Sequence, residues 1–355
     1  MRSDSGKPFS IAGTAVAPGA RATIDLPVAQ LYTHTPLTMP LQVLHGRREG
    51  PRLLVCAAIH GDEINGVEII RRLLKQTVLK RLSGTLIAVP IVNVLGLIDR
   101  TRYLPDRRDL NRAFPGSEQG SLAGRIAWLF KNEILDRASH VIDLHTAAIH
   151  RANTPQIRAN LNDPGSEALA HAFGVPLIIN SGLIDGSLRM IADKQKIPVV
   201  TYESGEALRF DEPGIKAGVQ GILNVMRHLG MLPPAKSKST GKSRPRPYFV
   251  ANSSSWVRGG QDGIFRSVVA LGARVQQGQV LGYIADPFGE REIVVSAAFS
   301  GIVVGRTNLP LVHEGEALFH IARFDEVGRV ARQMEAFNLQ LEGDSEVWQD
   351  EPPIV

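Results

Sequence analysis

Cysteine is almost missing from this 355-residue chain: the single one, Cys56, cannot form an internal disulfide. Its setting in "LLVCAAI" marks it as a small buried residue with an inert thiol. Long apolar runs are missing as well. No uncharged stretch reaches the ~18 residues a membrane span needs, and the opening "MRSDSGKPFS" is too polar for a signal peptide, so the expected location is the cytoplasm with no membrane partner. Positive charge is present, at a net +5, but it is concentrated in one place. Residues 236–246, "KSKSTGKSRPR", hold five Lys/Arg and no acid, and lack the aromatic residues that stack bases. The run reads as a solvated linker, and nucleic acid is not an expected partner.

A hydrophobic content of 43% allows a full core, and the length allows two or three domains. From about residue 52, apolar runs of strand length alternate with segments of helical period: "LLVCAAI" and "NGVEIIRRLLKQ", "HVIDL" and "SEALAHAF", "IPVVTY" and "GIKAGVQGILNVMRHLG". Continuous apolar strands between helices predict an α/β domain with a mostly parallel sheet covered by helices. The expected organisation is a β-rich lead-in segment (1–45), an α/β domain (46–232), a basic Pro/Ser-rich linker (233–247), a β-rich C-terminal domain (248–325) and an acidic tail (326–355) with a helix at "RVARQMEAF". Within the C-terminal part, residues 262–285 and 300–322 form a weak repeat. It resembles the two-fold sandwich of biotinyl and lipoyl carrier domains, but "DPFGEREIVVSAAF" offers no lysine to modify.

Three of these strands run into residues with chemistry. "AAIHGDEING" (57–66) sets His60 and Glu63 three apart just past a strand end, where imidazole nitrogen and carboxylate oxygen can face one Zn²⁺. Equally, the pair could cap the helix that begins near Ile64, and Asp62 reads as a loop residue or as one that supports the ligands from behind. "HVIDLHTA" (140–147) ends at His145, with Asp143 on the same strand face and placed to orient an imidazole; a satisfied core or loop histidine is the alternative. "IPVVTY" leads into Glu203, suited to act as a general base, with Glu206 as a nearby competitor that reads as a solvated loop acid. A fourth segment, the arginine-rich "RYLPDRRDLNRAFPG" (102–116), can bind carboxylates or an oxyanion, while Arg107 and Arg108 read as surface partners of Asp106 and Asp109. Ligands of open α/β sheets collect outside the carboxyl ends of strands, which is where these groups fall.

In their order, "HGDE", "DLNRAF", "DLHT" and "ESG" resemble the succinylglutamate desuccinylase/aspartoacylase family of the zinc carboxypeptidase superfamily, over roughly residues 45–325. The resemblance implies a zinc carboxypeptidase-like α/β fold with a smaller, barrel-sandwich-like all-β C-terminal domain. It also implies one zinc per chain on His60, Glu63 and His145, with Glu203 as acid/base, Arg102 polarising the scissile carbonyl, and Asn111 with Arg112 clamping a substrate carboxylate. The interval from Arg102 to Asn111 is longer than in aspartoacylase, which leaves Arg100 and Arg107 as competitors for Arg102's role. Arg189 in "SLRMIADK" is the candidate for a further substrate arginine. The expected activity is zinc-dependent hydrolysis of the amide bond of a small N-acyl amino acid. Two alternatives stand beside it: a carboxypeptidase acting on short peptides or amide-linked amino acids, and a non-catalytic zinc- or carboxylate-binding module, against which a base beside a full ligand set argues. A homo-oligomer is left open.

Overall fold

The computed structural model describes residues 6–235, 248–251 and 253–343. Most of the expected linker, 236–247, and the tail beyond 343 lie outside the described residues. The lead-in segment forms a small hairpin, β1 (Phe9–Ile11) with β2 (Thr14–Val16), and two long antiparallel strands, β3 (Arg21–Gln30) and β4 (Pro36–His45). Next come β5 (Arg52–Ala57), α1 (Asn65–Leu74), β6 (Thr85–Val89), α2 (Val94–Asp99), α3 (Leu122–Glu133) and β7 (His140–Ala147). Strand β5 lies parallel to both β6 and β7, as continuous apolar runs predict. The half closes with β8 (Arg151–Ala159), α4 (Pro164–Phe173), β9 (Leu177–Asn180), α5 (Leu188–Lys194), β10 (Val199–Glu206), parallel to β7, and α6 (Glu212–His228).

Alternation along the strands splits the core in two. Leu53, Val55 and Ala57 of β5 face Ile69, Phe173 and Ile222 from α1, α4 and α6. Leu54 and Cys56 face the other layer, with Ile126 and Phe130 of α3 and Ile191 of α5. At full burial each such aliphatic or aromatic side chain contributes roughly 1.5–3 kcal/mol, so both faces of the sheet are strongly held. Cys56 is buried as expected, and burial with the Asp143 carboxylate 3.6 Å away raises its thiol pKa well above the ordinary range. The thiol therefore stays neutral.

The C-terminal region is strand-rich: β11 (Phe249–Ala251), β12 (Ser253–Arg258), β13 (Gly263–Ser267), β14 (Arg274–Val275), β15 (Val280–Ala285), β16 (Glu292–Ser296), β17 (Gly301–Thr307), β18 (Leu311–Val312) and β19 (Ala317–Arg323), then α7 (Val327–Gly343). Strands β13, β15, β16 and β18 make their own four-stranded sheet. Strands β12, β17 and β19 instead continue the main sheet, because β17 pairs with β8. At the other side β4 pairs with β6, so the lead-in strands are part of the sheet too. Both additions satisfy strand edges that would otherwise expose unpaired backbone. Among the described residues no helix is long and apolar enough to cross a membrane.

Candidate active site

The carboxyl ends of β5, β7 and β10 lie on one rim. Immediately after β5, Ala58 takes φ = 51°, a conformation that costs a residue with a Cβ about 1–3 kcal/mol. Backbone bonds from Val92 to the Ala57 carbonyl (3.0 Å) and from Asn93 to the Ala58 carbonyl (2.8 Å) hold the turn. Gly61 then passes so close to α2 that a Cβ there would fall 2.0 Å from the Gly96 carbonyl carbon. These constraints fix the "HGDE" loop before α1 starts. The helix N-cap is Ile64 and receives no side-chain cap, so His60 and Glu63 are not capping residues.

Their side chains meet His145 instead. Nδ1 of His60 lies 2.7 Å from Glu63 Oε1, Nδ1 of His145 lies 2.8 Å from Glu63 Oε2, and the two Nδ1 atoms are 3.2 Å apart. All three residues are buried, and one ligand atom from each falls within 4.8 Å of the others. The opposite ring nitrogens are also engaged: His60 Nε2 lies 3.1 Å from Asp109 Oδ1, and His145 Nε2 lies 2.8 Å from Asp143 Oδ2. A carboxylate on Nε2 favours the proton there, which leaves Nδ1 as a lone pair. Two such nitrogens and a carboxylate come together, and a divalent cation would fit that donor set. Burial works against charge on both rings, but the surrounding carboxylates outweigh it and raise both histidine pKa values. The same burial disfavours the Glu63 anion, yet the two histidines hold its carboxyl far below the usual range.

Glu203 stands opposite His145 in the parallel β7–β10 register. Asn153 Nδ2 donates to its Oε2 at 2.6 Å, and Arg158 Nε lies 3.0 Å from its Oε1. Glu206, the last residue of β10 and not a loop acid, does something different: its two oxygens accept from the His150 amide (3.0 Å) and Asn308 Nδ2 (2.9 Å), tying the end of this strand to the residue just after β17. Asp62 is a loop residue whose carbonyl accepts from Leu208.

The arginine segment brings in one guanidinium. Arg102 reaches Glu63 Oε1 and Asp109 Oδ2, each at 3.1 Å, whereas Arg100 and Arg107 are exposed. Asn111 Oδ1 accepts from the Leu188 amide at 2.9 Å, its Nδ2 has no hydrogen-bond partner among the described residues, and the exposed Arg112 donates to the Asn111 carbonyl. Arg189 corrects an expectation. It is buried, and its donors go to Ser181 and the Gly182 carbonyl, so it braces a loop while Arg158 meets Glu203.

Sequence reasoning missed Asp109, Asn153 and Arg158. In the sequence Asp109 looks like a surface partner of the neighbouring arginines, whereas the fold turns it onto His60 and Arg102. The other two lie on β8, a strand disguised by Pro155, which fits because the β8–β10 register is irregular between Gln156 and Asn153.

The profile of the succinylglutamate desuccinylase/aspartoacylase catalytic domain matches residues 49–229. The N-alpha-acetyl-L-2,4-diaminobutyric acid deacetylase of Halomonas elongata is 27% identical over 292 residues, 79% of this chain and 84% of that protein. Among solved structures, a succinylglutamate desuccinylase/aspartoacylase from Rhodobacter sphaeroides has a TM-score of 0.76 at 24% identity, covering 86% of this chain and 94% of its own. The product-bound ectoine utilization protein EutE (DoeB) from Ruegeria pomeroyi has a TM-score of 0.77 at 22% identity, covering 91% and 99%. At these identities the structural likeness speaks for the fold.

Proposed function

This chain belongs to the succinylglutamate desuccinylase/aspartoacylase family, and from that premise we propose that it is a zinc-dependent hydrolase cleaving the amide bond of a small N-acyl amino acid. The observation that carries the reading is the pairing of Glu203 with His145 across β7 and β10, which sets a carboxylate beside a His-Glu-His donor set. Zinc on His60, Glu63 and His145 would polarise the acyl carbonyl and bring the pKa of water toward neutrality.

Glu203 accepts a proton from the attacking water on its carboxylate and later delivers it to the amide nitrogen, so the C–N bond breaks with a neutral amine leaving. Asn153 donates to that carboxylate and Arg158 lies beside it, contacts that support its being held as an anion ready to take the proton. Arg102 is steadied by two carboxylates and keeps further N–H donors for the carbonyl oxygen as negative charge develops there. Asn111 Nδ2 and the Arg112 guanidinium suit the substrate carboxylate, with Arg158 as the second cation in place of Arg189. The junction of Asn308 with Glu206 supports a role for the C-terminal strands in narrowing the entrance and disfavouring long peptides.

Deacylation is favoured over peptide cleavage by the activity named for the Halomonas relative. Zinc-loaded protein should release free amine from at least one of a set of acetyl-, succinyl- and aminoacyl-amino acids. No release from any of them, with zinc bound, would favour a binding module, and preference for free dipeptides would favour a carboxypeptidase.

A further inference from the structure

The amino ends of the parallel strands carry a second feature, on the rim opposite the histidine cluster. Strand β5 separates the two rims by six residues, roughly 20 Å at 3.3 Å per residue. Four chain segments converge there, from residues 19–21, 44–48, 74–83 and 230–233, around a half-open cavity of about 990 Å³. Six basic residues line it: Arg21, Arg47, Arg48, Lys75, Lys80 and Arg81. Among the described lining residues there is no aspartate or glutamate; the exposed Glu49 follows Arg48 in the chain but does not line the cavity.

Among the described residues, Arg21, Arg47, Arg48, Lys80 and Arg81 make no ion pair with a carboxylate. Arg21 is oriented by neutral partners, the Gln42 carboxamide oxygen and the Leu74 carbonyl. Arg47 folds against Gly19, where a Cβ would fall 2.9 Å from its Nε. Two guanidinium groups are thus seated before any ligand arrives. Like charges gathered around a recess focus a positive potential into it, and guanidinium forks match phosphate oxygens in paired hydrogen bonds.

We propose that this cavity binds a small polyphosphate anion. Its volume falls within the ~300–1,000 Å³ range of small-ligand sites, and the cations come from several separate segments, which suits several linked charges better than one. A concave recess is a poor match for a duplex, which needs an extended basic stripe or an element that enters a groove. Its leucines and Met231 are buried or half-buried, so it offers no apolar anchor for a membrane.

The test is isothermal titration of the full chain with sodium tripolyphosphate at low salt, with inorganic phosphate in parallel. Saturable one-to-one binding is expected, at least about tenfold tighter for tripolyphosphate than for phosphate and weakened by added salt. The double variant R48E/R81E should weaken tripolyphosphate binding on the order of a hundredfold, and K80E alone about tenfold, with melting temperature and hydrolytic activity unchanged. Absence of saturable heat would overturn the proposal. So would equal heat from wild type and variants, which would point to chelation of metal at the distant site. Binding of duplex DNA or phosphatidylserine vesicles that tripolyphosphate fails to displace would overturn it as well.

Discussion

His60 and His145 turn the same ring nitrogen, Nδ1, toward Glu63, and each gives its Nε2 to a different carboxylate, Asp109 or Asp143. The two histidines come from loop and strand, 85 residues apart in sequence, and their Nδ1 atoms lie 3.2 Å apart. A cation at that point takes the place of the protons that the carboxylates otherwise favour on the two rings, and engages both nitrogens and Glu63 at once. Zinc should therefore act as part of the folded state. Removing it with a chelator is expected to lower the melting temperature by several degrees, and a thousandfold excess of zinc over its Kd should return about 4 kcal/mol. Melting curves with and without zinc, alongside metal analysis, make the check; identical curves with zinc demonstrably bound would remove this role.

The outer carboxylates predict a second result. Asp143→Asn keeps the shape of the side chain but weakens its hold on the His145 Nε2 proton, so zinc affinity should fall about 10–100-fold while the protein stays folded. Competition with a chromophoric chelator reads this directly. Asp109→Asn should give a loss of the same kind through His60. An affinity unchanged in both variants would mean that the carboxylates do not set the ring tautomers.

Glu203→Gln separates binding from chemistry. The amide can still accept from Asn153, but it cannot take the water proton, so kcat should drop by about 10²–10⁴-fold with zinc content unchanged. Full retention of hydrolysis with the best substrate would move the base elsewhere.

A test of the C-terminal strands lies at Gly305 on β17. This residue pairs with Asn153 on one side and His320 on the other, and a Cβ added to it would fall 2.6 Å from Asn153 Oδ1. Asn153 can swing away cheaply, but doing so gives up its bond to Glu203. Gly305→Ala should accordingly lower kcat about tenfold with little change in melting temperature, the scale of one hydrogen bond to a charged group. Asn153→Ala should show a similar loss, and the double variant should be no worse than either. Additive losses would mean that Gly305 acts by another route.

Much of this arrangement is legible in the sequence because it follows strand ends. His60, Glu63, His145 and Glu203 each stand just after or within an apolar run, and a parallel sheet delivers such positions to one rim. The supporting contacts are less legible because they depend on which strands become neighbours. Arg158 touches Glu203 only because β8 runs antiparallel beside β10, a pairing that Pro155 hides from any pattern of alternation. Arg189 shows the converse. Its place on a short helix near the site suggests a ligand, but burial among the Ser181 and Gly182 acceptors makes it a brace.

His320 gives a prediction about pH. It lies on β19, is only 5% exposed, stacks on Trp256 at 4.8 Å between ring centroids, and has no partner for Nδ1 among the described residues. Burial, helped by the nearby Arg158, lowers its pKa to about 4. The unfolded chain, with an ordinary histidine value near 6.5, then binds more protons than the folded one between those two values. The stabilisation from keeping His320 neutral is therefore complete above about pH 6.5 and is lost as pH falls toward 4, by about 3 kcal/mol at most. His320→Phe keeps the stacked ring and cannot titrate. Urea unfolding of both proteins at pH 7 and pH 5 should show the wild type losing about 2 kcal/mol more than the variant over that interval. Equal losses would mean that His320 takes up its proton in the folded protein as readily as in the unfolded chain.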